Sequence, residues 1–328
     1  MPEPTARGWG WDALVVQTLG AAGRDAGQAS WSPRESGILP GGGGVELTGI
    51  LYVVATPIGN RGDLSPRAQS VLAEADVIAC EDTRHSRPLL ASIGVTGELL
   101  AYHEHNEEQM APRLLERLEA GETIALISDA GTPLISDPGF SLVRAARAQR
   151  IRVEPIPGPC AAICALSAAG LPSDRFLFIG FPPRTSSQRQ RWLEAVKTET
   201  GTLILYESGR RAAATLSDLA TVFGAERRAV VARELTKRFE TFLEGSVTEL
   251  SQQVAANPEQ QLGELVILVE GGPAEDADGD RREQARVLQL LADELPLKRA
   301  AALTAAITGG ARNELYQLGL ELKRRGGR

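Results

Sequence analysis

From residue 51 onward, short apolar runs alternate with amphipathic stretches. Residues 51–55 are apolar throughout, which predicts a strand covered on both faces. Leu64, Ala68, Val71 and Leu72 then recur at helical spacing around Ser65-Pro66, an N-cap followed by proline at the first helical position. Further strands are predicted at 77–80, 99–102, 123–127 and 153–156, with helices at about 106–120, capped by Asn106, and at about 138–150. Such alternation points to an α/β layer with a mostly parallel sheet. After Pro157-Gly158-Pro159 a second set begins, with helices at 161–169, 188–197 and 211–222 and strands at 176–181, 202–206, 229–232, 239–243 and 265–269. Several of these strands follow one another without a helix, so this half is expected to hold a mixed sheet. Residues 271–280 read as an acidic, glycine-bearing linker, and 283–320 as a small helical unit. The expected fold is therefore two α/β domains, 49–157 and 158–272, followed by a linker and small helical domain over 273–328.

The first 48 residues sustain neither period and end in four glycines, Gly41 to Gly44. They are expected to be mobile, or to lie upstream of the true start, with Val45 encoded by an internal GTG.

Charge narrows the partners. Against 35 Lys plus Arg stand 42 Asp plus Glu, a net charge of −7, so any nucleic-acid contact must come from local basic patches. The 3 cysteines, Cys80, Cys160 and Cys164, form no paired CxxC motif and suit reduced thiols in a cytoplasmic protein. No apolar run approaches the ~20 residues of a membrane span.

Candidate chemistry gathers at the predicted strand ends, where open α/β sheets bind ligands. The first strand runs into Thr56-Pro57-Ile58-Gly59-Asn60, and the GxGxxG dinucleotide fingerprint is absent. The second ends in Cys80-Glu81-Asp82-Thr83-Arg84-His85, and the third in His103-Glu104-His105-Asn106. All 3 histidines of the chain thus follow neighbouring strands, a pattern suited to binding or acid–base work on a polar substrate. His103 and His105 lack an evident third ligand, so no metal is expected. The fourth strand leads into Ser128-Asp129-Ala130-Gly131-Thr132-Pro133 and then Ser136-Asp137-Pro138-Gly139, where small residues admit a ligand close to the backbone. Asp137-Pro138 also fits a plain helix cap.

These segments, 51–60, 81–85, 103–106, 128–139 and 157–175, resemble the bacterial small-subunit rRNA methyltransferase I family of the tetrapyrrole (corrin/porphyrin) methylase superfamily. Segments 205–208, 232–237, 263–271 and 294–316 fit the same pattern, so the resemblance spans roughly residues 50–320. It implies S-adenosyl-L-methionine bound in a cleft between two α/β domains, a homodimer, and methylation of a cytidine ribose 2′-hydroxyl in the decoding region of the small ribosomal subunit (cytidine 1402 in 16S numbering). Carried over by position, the cofactor residues are Pro57, Gly59, Asn60, Asp129, Ala130, Gly131, Thr132, Pro133, Ser136, Asp137, Gly158, Pro159, Cys160 and Ala161. Phe181, Tyr206, Glu207, Ala232, Arg233 and Glu234 are expected to complete the cleft.

A ribose hydroxyl is a poor nucleophile until a base takes its proton. The candidates are Glu81, Asp82, His85 and His103, with Arg84 holding a phosphate or the developing alkoxide. Arg184, Arg189, Arg191, Arg210 and Arg211 are candidate RNA contacts, as are Lys298, Arg299 and Arg312 in a basic tail that continues through Lys323, Arg324, Arg325 and Arg328. In that tail 300–307 and 312–320, joined by Gly309-Gly310, have the lengths of a helix-turn-helix. Two other readings share some of these features: a porphyrin or corrinoid C-methylase, and a non-catalytic ribosome-binding factor.

Overall fold

The computed structural model describes residues 49–272 and 277–326, with side chains within the helical tail described over 283–322. The expectations placed on residues 1–48, on the middle of the linker and on the basic side chains beyond 322 lie outside the described residues.

The first half is a five-stranded parallel sheet. Its strands are β1 (Ile50–Val54), β2 (Val77–Cys80), β3 (Glu98–Ala101), β4 (Ile124–Ile127) and β5 (Arg152–Ile156), in the order β3-β2-β4-β1-β5. Helices α1 (Pro66–Glu74), α2 (Thr83–Ser92), α3 (Glu107–Glu119) and α4 (Phe140–Ala148) are the crossovers. Every residue of β2 and of β4 is buried, as the continuous apolar runs require. The Ser65 hydroxyl accepts the Ala68 amide and caps α1 with Pro66 at its start.

The second half holds α5 (Ala161–Ala168), β6 (Phe176–Gly180), α6 (Ser186–Glu194), β7 (Thr202–Ser208), α7 (Gly209–Phe223), β8 (Arg228–Arg233), β9 (Thr241–Ser246), α8 (Val247–Ala256) and β10 (Glu264–Val269). The sheet order is β6-β7-β10-β8-β9. Only β6 and β7 pair in parallel; β10 runs antiparallel to both neighbours, and β8 to β9, which makes the sheet mixed. Leu205, Leu216, Val231, Leu250 and Ile267 sit in the core on one face, while Ile204 and Val266 cluster with Ala165 of α5 on the other.

The tail forms three helices, α9 (Ala277–Glu294), α10 (Leu297–Thr308) and α11 (Arg312–Gly326). Leu288, Ala300, Ala301 and Leu315 make their small core. Gly309 ends α10 in the left-handed conformation at φ 75°, which only glycine adopts freely. The linker is shorter than its composition predicts, because α9 begins at Ala277 within it.

Two expected caps act otherwise. The Asn106 side chain accepts the His103 amide and donates to the Ala101 carbonyl, both at 2.9 Å, so it closes the turn before α3 instead of capping it. Asp137 does not cap α4, which starts at Phe140 behind Gly139 at φ 132°.

Candidate functional site

The carboxyl ends of β2 and β4, the turn after β1 and the first turn of α5 face the ends of β7 and β8 and the start of β10 across a cavity of about 450 Å³. The wall on the side of the parallel sheet is Ile58, Glu81, Asp129, Ala130, Gly131, Thr132, Ile135, Ser136 and Asp137. Cys160 and Ala161 lie at the junction, and Phe181, Tyr206, Glu207, Ser208, Ala232, Glu234, Leu235, Lys237, Glu264, Leu265 and Val266 form the opposite wall.

The loops are tied to one another. Thr56 and Gly131 exchange amide–carbonyl bonds of 2.8 and 3.1 Å, and Gly131 takes a φ of 88° to do so. The Thr132 hydroxyl donates to the Pro159 carbonyl at 2.9 Å, and the Asp129 carboxylate accepts the Asp82 amide at 3.1 Å. Across the cavity, the Ala162 amide donates to the Tyr206 hydroxyl oxygen at 3.1 Å. Leu134, Ser136, Glu234 and Thr236 are non-glycine residues at positive φ, and all four belong to the loops that build this cavity or adjoin it. Such backbone is costly and persists where the surroundings enforce it.

The carboxylates divide into two kinds. Burial, then the Glu81 and Asp129 charges, pushes Asp137 up to about 6 against a hydrogen bond from Ser128. Burial and the Asp129 charge also raise Glu81, opposed by His103. Asp82 behaves in the opposite way. Its carboxylate accepts the Arg84 amide at 2.8 Å and the Arg84 guanidinium at 3.1 and 2.7 Å, which holds it well below the usual carboxylate range. Asp82 is the N-cap of α2, not a base, and Arg84 is engaged with it. His85 and His103 flank Glu81 electrostatically without lining the cavity, and the His103 Nδ1 is buried with no hydrogen-bond partner among the described residues.

Of the expected cofactor residues, Asp129, Ala130, Gly131, Thr132, Ser136, Asp137, Cys160, Ala161, Phe181, Tyr206, Glu207, Ala232 and Glu234 line the cavity. Pro57, Gly59, Asn60, Pro133, Gly158, Pro159 and Arg233 do not. Several of these shape it from behind. A Cβ on Gly59 would meet Lys237 Cγ at 2.4 Å, and one on Gly158 would meet Ala55 Cβ at 2.9 Å. The Asn60 amide donates to Thr236 Oγ1 at 3.1 Å, and the Arg233 guanidinium lies against the carbonyls of Leu262 and Phe239. Ile58, within the expected loop 57–60, is a wall residue, whereas Ile135, Leu235, Leu265 and Val266 are wall residues that sequence reasoning does not single out, because their apolar character matches any core position. Lys237, whose Nζ pairs with Glu234 and Glu264 at 2.9 and 3.0 Å, is likewise missed.

Two expected RNA contacts are corrected. The Arg189 side chain is 4% exposed and its guanidinium is paired with Asp218, so it cannot reach a phosphate. Arg211 donates to the Pro182 and Pro183 carbonyls at 2.7 and 2.9 Å and lies 3.3 Å from Glu207. Arg184, Arg191, Arg210, Lys298, Arg299 and Arg312 are exposed and have no ion pair among the described residues. Among those residues no group of three or more His, Cys, Asp or Glu side chains is placed to hold a metal, and no helix is long and apolar enough to cross a membrane.

Comparison with known proteins gives a consistent result. Residues 50–251 match the profile of the tetrapyrrole (corrin/porphyrin) methylases, and residues 278–323 match that of the RsmI C-terminal HTH domain. A protein named ribosomal RNA small subunit methyltransferase I from Pseudomonas aeruginosa is 56% identical over 274 residues, 83% of this chain and 97% of its own. Its namesake from Xylella fastidiosa is 55% identical over 268 residues, 82% of this chain and 98% of its own. Among solved structures, the methyltransferase CobJ superposes with a TM-score of 0.52 at 20% identity, covering 69% of this chain and 95% of that one.

Proposed function

Because this chain belongs to the tetrapyrrole methylase family, and within it to the ribosomal RNA small subunit methyltransferase I proteins, we propose that it methylates a cytidine ribose 2′-hydroxyl of small-subunit rRNA, using S-adenosylmethionine. The protein acts as a cytoplasmic homodimer on the small ribosomal subunit, with the α9–α11 unit as its docking domain.

The observation that carries this reading is the composition of the cavity wall. Glu81, Asp129 and Asp137 supply negative charge for a cationic sulfur centre and acceptors for amino and hydroxyl groups. The N-cap Cys160 makes no side-chain cap, and with the Ala162 amide donated to Tyr206 it is the Ala161 and Ile163 amides of the first turn of α5 that are left for a carboxylate. Ile58, Leu235 and Val266 give apolar surface for a purine. These three chemistries are the parts of S-adenosylmethionine, and the residues fit it.

When bound, the cofactor supplies an electrophilic methyl group whose sulfur leaves as a neutral thioether. The chain supplies position and a proton acceptor. One of the pair Asp137 and Glu81, both raised above the usual carboxylate range and both on the cavity wall, takes the single hydroxyl proton as the oxygen attacks, in place of Asp82. No covalent enzyme intermediate is needed. Exposed Arg184, Arg191 and Arg210 in the second half, and Lys298, Arg299 and Arg312 in the tail, contact phosphates.

The reading is tested by offering the purified protein radiolabelled S-adenosylmethionine with small ribosomal subunits, free rRNA or a tetrapyrrole acid. Label on the ribosomal subunit supports it. Label on the tetrapyrrole alone, or no cofactor heat by calorimetry, refutes it.

A further inference from the structure

The arginines lost as RNA contacts reveal a different device. Arg211 donates to the carbonyls of Pro182 and Pro183, and the buried Arg189 lies 3.3 and 3.4 Å from the carbonyls of Pro183 and Arg184. Asp218 and Glu207 anchor these two guanidiniums in turn. The segment after β6 is thus clamped along three consecutive residues. Just before it, the register of β6 against β7 slips between Phe178 and Gly180, and Gly180 has a φ of 72°. A bulge of this kind re-aims the side chain that follows. That side chain is Phe181, which lines the cavity yet stays 58% exposed. Its ring meets Tyr206 edge to face at 5.4 Å, and Tyr206 meets Phe178 at 4.8 Å.

An exposed aromatic residue needs no explanation by itself. One fixed by a bulge, a left-handed glycine and two anchored arginines at a cavity rim does. We propose that Phe181 is a stacking platform for the extruded nucleobase of the acceptor nucleotide. The inference rests on the rRNA reading above and assigns Phe181 to the substrate instead of the cofactor. A cofactor of nucleoside-amino-acid size takes up most of a cavity of about 450 Å³, which leaves the acceptor nucleotide its mouth, where Phe181 stands. Every base offers a π-face, and aromatic side chains that receive unstacked bases are the usual means of holding single-stranded RNA. Arg184, exposed three residues along the same clamped segment, provides a cation for the adjoining phosphate.

The test uses the full chain and compares Phe181→Ala, Phe181→Tyr and Phe181→Trp. Cofactor affinity is read by calorimetry, and the KM for small ribosomal subunits by methyl transfer at saturating cofactor. The expected result is a rise in KM of about tenfold or more for Phe181→Ala, cofactor affinity within twofold of the parent, and near-parental KM for the Tyr and Trp variants. An unchanged KM in Phe181→Ala overturns the proposal. So does a parallel loss of cofactor affinity, which returns Phe181 to the cofactor. Failure of the unsubstituted protein to methylate the subunit at all removes the rRNA reading itself, and this inference with it.

Discussion

Glu81 and Asp137 stand on loops that follow the adjacent strands β2 and β4, face one cavity, and interact so that the Glu81 charge helps hold the Asp137 carboxyl at about 6. Two carboxylates in one partly desolvated space cannot both ionise easily, which raises Glu81 and brings Asp137 up to about 6. Single-turnover methyl transfer is therefore expected to rise with pH through a midpoint near 6 and then level off. Asp137→Asn should lower the plateau by about 100-fold and Glu81→Gln by a comparable factor, within the usual range for a general base. A profile flat from pH 5 to 8 would exclude the pair.

The same shift has a stability consequence of opposite sense. The folded pKa of Asp137 lies above its unfolded value, so its contribution to stability is complete at acid pH and is lost as pH rises through about 6. Asp137→Asn should therefore stabilise the protein at pH 8 by about 1 kcal/mol, allowing for partial solvent access, and have little effect at pH 4. Thermal unfolding midpoints of parent and variant at the two pH values read this directly.

Arg189 and Asp218 form a buried pair that Ser186 and Gln190 complete with bonds of 2.8 and 2.7 Å to the same carboxylate. Burial alone would raise Asp218, but these partners and Arg189 together hold it below its ordinary value. Removing one charge leaves the other buried. Arg189→Met is expected to cost about 3–5 kcal/mol in denaturant unfolding, and the double substitution Arg189→Met with Asp218→Leu to recover much of it.

Gly131 combines a φ of 88° with a would-be Cβ contact of 3.3 Å to Ile58 Cγ2. Alanine there strains the bridge to Thr56 that holds this part of the cavity wall. Gly131→Ala should weaken cofactor binding at least tenfold by calorimetry, with less than 2 kcal/mol lost in global stability.

Deleting residues 274–328 removes α9–α11 and the exposed cations Lys298, Arg299 and Arg312. Cofactor heat should persist, while methyl transfer to ribosomal particles falls to background. Full transfer by the shortened chain would rule out a docking role for the tail.

The sheets were legible because their signals are local. Continuous apolar runs marked β2 and β4, and Ser65-Pro66 marked the start of α1. Helix α2 was not legible: its sequence Thr83-Arg84-His85-Ser86-Arg87-Pro88 is polar, carries an internal proline and buries only Ser86 and Leu90. Helix α8 is a different case. Ser246 and Glu249 form a capping box, and Val247, Leu250 and Val254 have helical spacing, so the signal for α8 is present in the sequence although no helix is expected there. At the site, the loops rich in chemistry lie at strand ends that border the cavity, but residue roles depend on contacts across the chain. Asp82 is adjacent to Glu81 in sequence, yet Arg84 holds its charge and Asp129 its amide. Arg189 looks like Arg191 in sequence; only the packing of α6 on α7 buries one and exposes the other.

A methyl group delivered from this cavity to a ribose oxygen leaves a product that can be read directly. Small ribosomal subunits lacking the modification, incubated with the protein and S-adenosylmethionine, can be digested to nucleosides and analysed by mass spectrometry. One 2′-O-methylated cytidine per subunit is expected, absent when Glu81 and Asp137 are both replaced by their amides. A methyl group found on a base carbon or nitrogen, or undiminished 2′-O-methylation by the doubly substituted protein, would contradict the account.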